Sequence, residues 1–359
     1  MRSPLLSRRS FIRAAGSAFL AGLSPSQLYA LEQTDAVFAA AFMDPAGHFG
    51  LATLAEDGTI IDRRPLPKRA HGLAFDRNFN RVVAFARRPG TFAAIFDLSG
   101  LSAPIVIASP EGRHFYGHGT FSRDGRLLYA SENDFDNARG VIGIYDATDE
   151  FSRVGEYPTY GVGPHDLSIT PDGEALIVAN GGIETHPDFG RTKLNLDRME
   201  PSLTVIDTLS GTLIEKHQLP PDFSQLSTRH IALSGNQEIW FACQYEGARE
   251  DLPPLIGRFR RGEPLDFIYL PEQTARNMAN YVGAIAVNRK EGLVAATSPR
   301  GGTYVVLDAI SGTLVHEVQL PGASGIAAGP HGFGVSTEGG LFNGRQSPVN
   351  WDQHVVRIG

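Results

Sequence analysis

Short runs of alternating apolar and polar residues recur along the chain and are separated by polar turns. The clearest begin at His71, Gly117, His165 and Arg229, and a weaker copy begins at Gly283. Each run predicts a short strand, a turn and a second apolar strand. Third and fourth strands follow, so the unit is four antiparallel strands in roughly 40 to 55 residues, which is the period of a propeller blade.

Seven such units can be counted along the chain. They cover residues 37–66, 71–109, 117–157, 165–219, 229–270, 283–320 and 325–358. The first and last units contain three predicted strands, so we expect the two chain ends to close the ring together, which removes exposed sheet edges. The sequence therefore predicts an all-β fold, a seven-bladed β-propeller of mostly four-stranded antiparallel blades, as a single domain over residues 35–359. Six or eight blades are the alternatives, because the end units are the least regular.

The first 30 residues differ from the repeats. Arg8 and Arg9 precede an aromatic and an aliphatic residue, and a modest apolar run follows as far as Leu23. This run is too short to span a bilayer, so residues 1–30 are predicted to be a signal peptide. The paired arginines resemble the twin-arginine export signal, which implies a periplasmic protein without a transmembrane segment in its mature part. A basic amphipathic helix is the alternative.

Composition and charge narrow the classes of function. The formal net charge of −7 over 359 residues argues against a nucleic-acid partner, since phosphate neutralisation needs a basic surface. The single cysteine, Cys243, excludes a disulfide scaffold and any CxxC site for zinc or haem. No phosphate-binding loop, nucleophile elbow or HExxH motif is present.

Four histidines occupy the same place in consecutive units. His71, His118, His165 and His230 each begin a predicted innermost strand, and these strands converge on the mouth of the central channel of a propeller. Neutral imidazoles from different blades suit a transition metal. We expect a metal site on this top face, for iron or copper before zinc, with His118, His165 and His230 at its centre.

Further candidate ligands surround this predicted site. His71 and His186 are expected at its edge. Glu132, Asp166 and Glu184 are expected to ligate the metal or to accept hydrogen bonds from the histidines. The polar loop between Thr185 and Pro201 is long, and function is often carried by such loops on a rigid scaffold. The remaining histidines considered, His48, His217, His316 and His354, fall in predicted turns or outer strands, where solvated side chains are expected.

Two other interpretations of the same positions stay open. The histidines could be internal hydrogen-bonding groups, because they precede the turn by seven residues in two units and by six in two others. In a regular strand a one-residue slip reverses the direction of the side chain. Alternatively, the channel mouth could bind a non-metal ligand such as an anion. The candidate residues for that ligand are Asp166, Arg191, Lys193, Asn195, Arg229 and Arg300.

Several motifs resemble those of one protein family. They include Phe-Tyr-Gly-His-Gly at 115–119, Gly-Pro-His-Asp-Leu at 163–167 and Ser-Pro-Arg-Gly-Gly at 298–302. They are similar to motifs of the twin-arginine-exported bacterial family called domain of unknown function 1513, over essentially the whole chain. The resemblance implies a propeller with WD40- or YVTN-like repeats and an association with imelysin-type periplasmic proteins and iron handling. More distantly, the repeats resemble the propellers of nitrous oxide reductase, whose copper cluster is held by histidines.

These observations favour a binding protein over an enzyme. The leading expectation is a periplasmic metal-binding propeller that handles iron or copper, with another periplasmic protein of a metal-uptake system as its partner. One alternative is a metal-dependent hydrolase of the lactonase type that uses a metal-bound water. The other is a metal-free scaffold whose top face docks another protein.

Overall fold

Strands rich in alanine and β-branched residues account for most of the regular structure. In the computed structural model, residues 24–25, 35–235 and 237–359 are described, and within them 28 strands form seven antiparallel sheets of four strands each. The predicted seven-bladed β-propeller with four-stranded blades is thus confirmed. The predicted signal peptide, residues 1–30, lies outside the described residues apart from Ser24 and Pro25.

Blades 1 to 4 use the following strands. Blade 1 contains β1 (Phe38–Met43), β2 (Phe49–Leu54), β3 (Ile60–Pro65) and β28 (Asn350–Arg357). Blade 2 contains β4 (Ala70–Asp76), β5 (Arg81–Ala86), β6 (Phe92–Asp97) and β7 (Ile105–Ala108). Blade 3 contains β8 (Arg113–Phe121), β9 (Leu127–Asp134), β10 (Arg139–Asp146) and β11 (Ser152–Pro158). Blade 4 contains β12 (Pro164–Ile169), β13 (Ala175–Asn180), β14 (Ser202–Asp207) and β15 (Leu213–Gln218).

Blades 5 to 7 and the short helices complete the described chain. Blade 5 contains β16 (Leu226–Leu233), β17 (Ile239–Tyr245), β18 (Ile256–Phe259) and β19 (Asp266–Ile268). Blade 6 contains β20 (Ala284–Asn288), β21 (Leu293–Ser298), β22 (Thr303–Asp308) and β23 (Leu314–Gln319). Blade 7 contains β24 (Ala323–Ala328), β25 (Phe333–Thr337), β26 (Leu341–Phe342) and β27 (Arg345–Gln346). The helices are α1 (Glu272–Asn277) and three 3₁₀ turns, Pro187–Phe189, Leu196–Arg198 and Pro221–Phe223. Among the described residues, no helix has the length and apolar character needed to cross a membrane.

The chain ends close the ring through one strand pair. The last strand, β28, pairs antiparallel with β1, from Phe38 opposite Arg357 to Met43 opposite Asn350. It contacts β24 on one side and β4 on the other, so it is the innermost strand of blade 1. The predicted last unit, 325–358, therefore has a different end: its final strand belongs to blade 1, and the two-residue strands β26 and β27 complete blade 7.

Aromatic packing reinforces this closure. Trp351 of β28 is 1% exposed, and its ring lies 6.3 Å from that of Phe42 and 6.4 Å from that of Phe342. Its indole N–H donates to the carbonyl of Gly340 at 3.1 Å. Because Phe42 belongs to blade 1 and Phe342 to blade 7, the Trp351 side chain packs the closing strand against both blades.

Replacing Trp351 with alanine should therefore weaken the whole ring. We expect Trp351→Ala to lower the free energy of unfolding by about 3–5 kcal/mol, since the substitution leaves a cavity at a fully buried site. Urea denaturation followed by circular dichroism measures the change. Leu209→Ala, at a side chain that is 91% exposed, serves as the control and should stay within about 0.5 kcal/mol of the wild type. Equal midpoints for Trp351→Ala and the wild type would contradict this role.

Candidate metal centre

Five histidines of the described chain meet in the central channel. His71 lies on β4, His118 on β8, His165 on β12, His230 on β16 and His354 on β28. Their neighbouring ring centroids are 4.6 to 5.4 Å apart. Four of the side chains are buried and His165 is partly buried. Innermost strands from five different blades thus supply one imidazole cluster, which we call the histidine cluster.

Irregular strand pairing directs these side chains into the channel. The pairing register shifts between Ala70 and Leu73, between Phe115 and Gly119, and between Pro164 and Asp166. Similar shifts occur next to His230 in β16 and around His354 in β28. A bulge adds residues to one strand and re-aims its side chains. The difference between six and seven residues before the turn therefore does not reverse the histidines.

The ring nitrogens form two overlapping groups of three. One group is His71, His118 and His354, the other is His118, His165 and His230, and within each the ligand atoms lie within 4.8 Å of one another. The Nε2 atoms of His71 and His165 are 3.5 Å apart. Three nitrogens bonded to one tetrahedral ion at about 2.0–2.1 Å would be separated by about 3.3 Å. The ligand atoms of each group are close enough together that the cluster could hold a metal ion, and His118 belongs to both groups.

Asp166 orients one of these rings. Its Oδ1 atom lies 3.3 Å from Nδ1 of His118, and its Oδ2 atom lies 4.0 Å from Nδ1 of His230. The carboxylate is held in place by the backbone N–H groups of Leu167 and Ile231, which donate to it at 2.8 and 3.0 Å. A carboxylate beside Nδ1 keeps the proton there and leaves the Nε2 lone pair free for a metal. Asp166 was expected as a ligand-binding residue, and the structure places its carboxylate next to Nδ1 of His118.

Several ring nitrogens of the cluster have no hydrogen-bond partner among the described residues. These buried atoms are Nδ1 of His71, Nε2 of His118, Nδ1 of His165 and Nε2 of His354. Leaving a buried polar group unsatisfied costs roughly 1–3 kcal/mol, so four in one place call for an explanation. A neutral imidazole has a lone pair on one of its two ring nitrogens, and coordination of a cation satisfies it, so the donor set fits a transition metal.

Burial keeps four histidines of the cluster neutral, which is the form that binds metals. It lowers the pKa of His71, His165 and His354 well below the ordinary value, and repulsion between neighbouring imidazoles and from nearby arginines adds to the effect. Burial likewise lowers the pKa of His230 to about 3. For Asp166, burial raises the pKa, but His118 and His230 outweigh it and hold the pKa below the usual value. The site thus combines the neutral imidazoles of His71, His165, His230 and His354 with one carboxylate.

The structure does not bring Glu132 to the histidine cluster. This side chain is fully buried within β9, where it accepts a hydrogen bond from the Tyr145 hydroxyl at 2.6 Å. Arg113 and Arg153 form ion pairs with it at 3.3 and 3.1 Å. Glu132 therefore belongs to an ion-pair network inside blade 3.

Three predicted site residues in or next to the long loop, Glu184, His186 and Asn195, also lie apart from the cluster. His186 Nε2 is 3.3 Å from Asp136, and Glu184 forms an ion pair with Arg198 at 3.1 Å. The buried Asn195 side chain accepts from the N–H of Glu184 at 2.7 Å and donates to the carbonyl of Gly182 at 2.9 Å. These contacts fix the shape of the loop.

The expectation for His354 was wrong. It was assigned to a solvated turn or outer strand, whereas it is 9% exposed and lies on an innermost strand. Its ring centroid is 4.7 Å from that of His71 and 4.6 Å from that of His118. The signal in the sequence is the segment around Trp351, Val355 and Val356, which indicates an innermost strand once the last strand is assigned to the first blade.

The histidine cluster separates two cavities. One, of about 260 Å³, is lined by His118, Asp166, His230 and His354 together with apolar residues farther along the innermost strands. The other, of about 210 Å³, is lined by His71, His165 and His230 and by basic and polar side chains from both strands and loops. Four predicted ligand-binding residues line this second cavity: Arg191, Lys193, Arg229 and Arg300.

The lowered histidine pKa values predict how stability depends on pH. Because unfolding restores the ordinary pKa of 6.5, the unfolded metal-free chain binds more protons than the folded chain below that pH. Each such histidine should then lower the free energy of unfolding by up to about 1.4 kcal/mol per pH unit as the pH falls from ~6.5. Urea unfolding of the metal-free protein at several pH values between about 7.5 and 5 measures the slope, above the range where most carboxylates titrate.

His230→Gln is the matched variant for this measurement. It retains a polar side chain but cannot be protonated, so its unfolding free energy should fall less steeply with acid than that of the wild type. A wild-type free energy of unfolding that stays constant over this range would contradict the assignment of neutral buried imidazoles.

The chain matches one protein family and is similar in fold to several solved structures. Residues 64–358 match the family described as "Protein of unknown function (DUF1513)". No curated protein matches the chain. Among solved structures, the Kuenenia stuttgartiensis hydrazine synthase has a TM-score of 0.62 at 13% identity and covers 83% of this chain and 91% of its own. The Cps50 (Swd1) β-propeller domain of Myceliophteria thermophila has a TM-score of 0.60 at 12% identity, with 88% and 95% covered. At these identities the likeness establishes the fold alone.

Proposed function

For this chain, which belongs to the DUF1513 family of proteins of unknown function, we propose a periplasmic metal-binding protein that handles iron or copper. The observation that carries the proposal is the convergence of five imidazoles with four buried, unpartnered ring nitrogens among the described residues. His118 would be the central ligand, because it belongs to both groups of three. Asp166 would hold its proton on Nδ1 and direct Nε2 to the metal.

The donor types support a transition metal over an alkaline-earth ion. Imidazole suits zinc, copper, iron and nickel, whereas calcium and magnesium prefer oxygen ligands. Sulfur donors, which would favour Cu(I), do not occur in either group of three within the described residues. Cys243 lies buried in β17, and burial raises the pKa of its thiol. The choice of iron or copper before zinc rests on the family resemblance, which implies iron handling.

The position of the cluster supports reversible binding. The histidines lie between two cavities of the channel, so an ion could approach along the channel without opening a blade. A rigid ring that fixes five imidazoles loses little side-chain entropy when the metal binds, and preorganised ligands of this kind raise affinity.

Removing His118 should disable the site. We expect His118→Ala to weaken the binding of Cu²⁺ and Fe²⁺ by at least about 100-fold, since loss of even an orienting partner costs about 10–100-fold. Competition titrations and elemental analysis of untagged protein measure the change. His316→Ala, at an exposed position on the outer strand β23, should bind as the wild type does. Equal affinity and stoichiometry in all three proteins would refute the metal site.

Export through the twin-arginine route is part of the proposal. The double variant Arg8→Lys/Arg9→Lys of the full-length chain should no longer accumulate in the periplasm, because that route requires the arginine pair. Cell fractionation and immunoblotting provide the measurement, and Arg13→Lys, outside the pair, is the control. Undiminished periplasmic accumulation of the double variant would show that this route is not used.

A further inference from the structure

The cavity of about 210 Å³ beside the histidine cluster is strongly basic. Six cationic side chains line it, and its described lining contains no carboxylate. They are Arg87, Arg88, Arg191, Lys193, Arg229 and Arg300. Besides the three histidines, two tyrosines and two glutamines complete the polar lining: Tyr116, Tyr281, Gln244 and Gln353. The chain as a whole has a net charge of −7, so this concentration of positive charge is local.

The surrounding carboxylates do not balance these cations. Glu246 pairs with Lys193 and lies 3.6 Å from Arg229. Asp352 lies 3.8 Å from Arg87 but is engaged more closely by Arg69, at 2.8 Å. Two carboxylates thus serve four of the basic groups, including Arg69, which is not part of the lining.

The other three lining cations have no carboxylate partner among the described residues. Arg88 donates to the hydroxyl of Tyr116 at 3.1 Å, and the guanidinium of Arg300 lies 4.2 Å from the centre of the Tyr281 ring. Arg191 forms no hydrogen bond or ion pair with another described residue. Three guanidinium groups therefore retain free donors around one cavity.

Arg229 is a buried cation that lacks a full set of hydrogen-bond partners among the described residues. It is 5% exposed, and its Nε–H has no hydrogen-bond partner among the described residues. It is the extra residue of the bulge before His230, which brings its side chain to the cavity. Burying a charge is costly unless hydrogen bonds and an opposite charge compensate it, and Glu246 at 3.6 Å is a distant partner. The pattern is that of a donor preorganised for a ligand.

We propose that this cavity binds a small multivalent oxyanion, one that carries carboxylate or phosphate groups. Guanidinium forks donate two parallel hydrogen bonds to either group, and several free forks around one space favour two or more negative charges. The volume is below the roughly 300–1,000 Å³ of pockets for drug-sized ligands, so the ligand is small. Anion binding by these cations does not depend on the proposed metal site, because the cations bind the anion whether or not the histidines hold an ion.

The test is calorimetric titration of the chelator-treated mature protein at neutral pH and low salt. The probes are tricarballylate, a tricarboxylate, and inorganic phosphate, with acetate as the monovalent reference. We expect at least one multivalent probe to bind in a 1:1 ratio and at least tenfold more tightly than acetate, with affinity falling as salt is added. The probe that binds more tightly identifies the ligand as carboxylate or phosphate.

Substitutions at the rim assign the binding to this cavity. Arg191→Gln and Arg300→Gln should each weaken the tighter probe by about tenfold, and both positions are exposed, so folding should be retained. Arg276→Gln, an exposed arginine of α1 paired with Glu272, should leave the affinity unchanged. Binding no tighter than acetate, or equal binding by the wild type and both rim variants, would overturn the proposal. Metal titration of the same samples distinguishes this failure from a failure of the metal site.

Discussion

The pairing of β28 with β1 is the constraint on which the rest of the molecule depends. It joins the two ends of the chain in one sheet, and it supplies blade 1 with its innermost strand. Without that strand the ring would expose unpaired edges, and the channel would lose the residue that completes one group of three histidines, His354. Closure of the fold therefore also completes the group of His71, His118 and His354, and Trp351 contributes to both by packing β28 against blades 1 and 7.

The histidine cluster is costly to build into such a ring. Charge on the neighbouring imidazoles disfavours protonation of His71. Four buried ring nitrogens of the cluster also lack hydrogen-bond partners in the described chain. Small or hydroxyl-bearing residues would fill the channel at lower cost. Proteins retain such unfavourable groups mainly at functional sites. The adjacent arginine-lined cavity contains more cations than nearby carboxylates, so unpaired imidazole nitrogens and unpaired guanidinium groups lie side by side in the channel.

The sequence predicts the fold well, because repeat length and alternation are properties of single strands. It also predicts that His71, His118, His165 and His230 share a place in the blade. It fails where the outcome depends on contacts between distant residues. His354 could not be placed without knowing that the last strand enters blade 1. Glu132 could not be placed without knowing that Arg113 and Arg153 form ion pairs with it inside blade 3. The bulges that direct the histidines likewise arise from strand pairing.

The central claim is that the channel histidines coordinate a transition metal. Anomalous diffraction from crystals of the copper- or iron-loaded protein, collected on both sides of the metal absorption edge, tests it most directly. We expect an anomalous peak within bonding distance of His118 and at least two other histidines of the cluster. Metal peaks found at surface residues alone, with none in the channel, would contradict it.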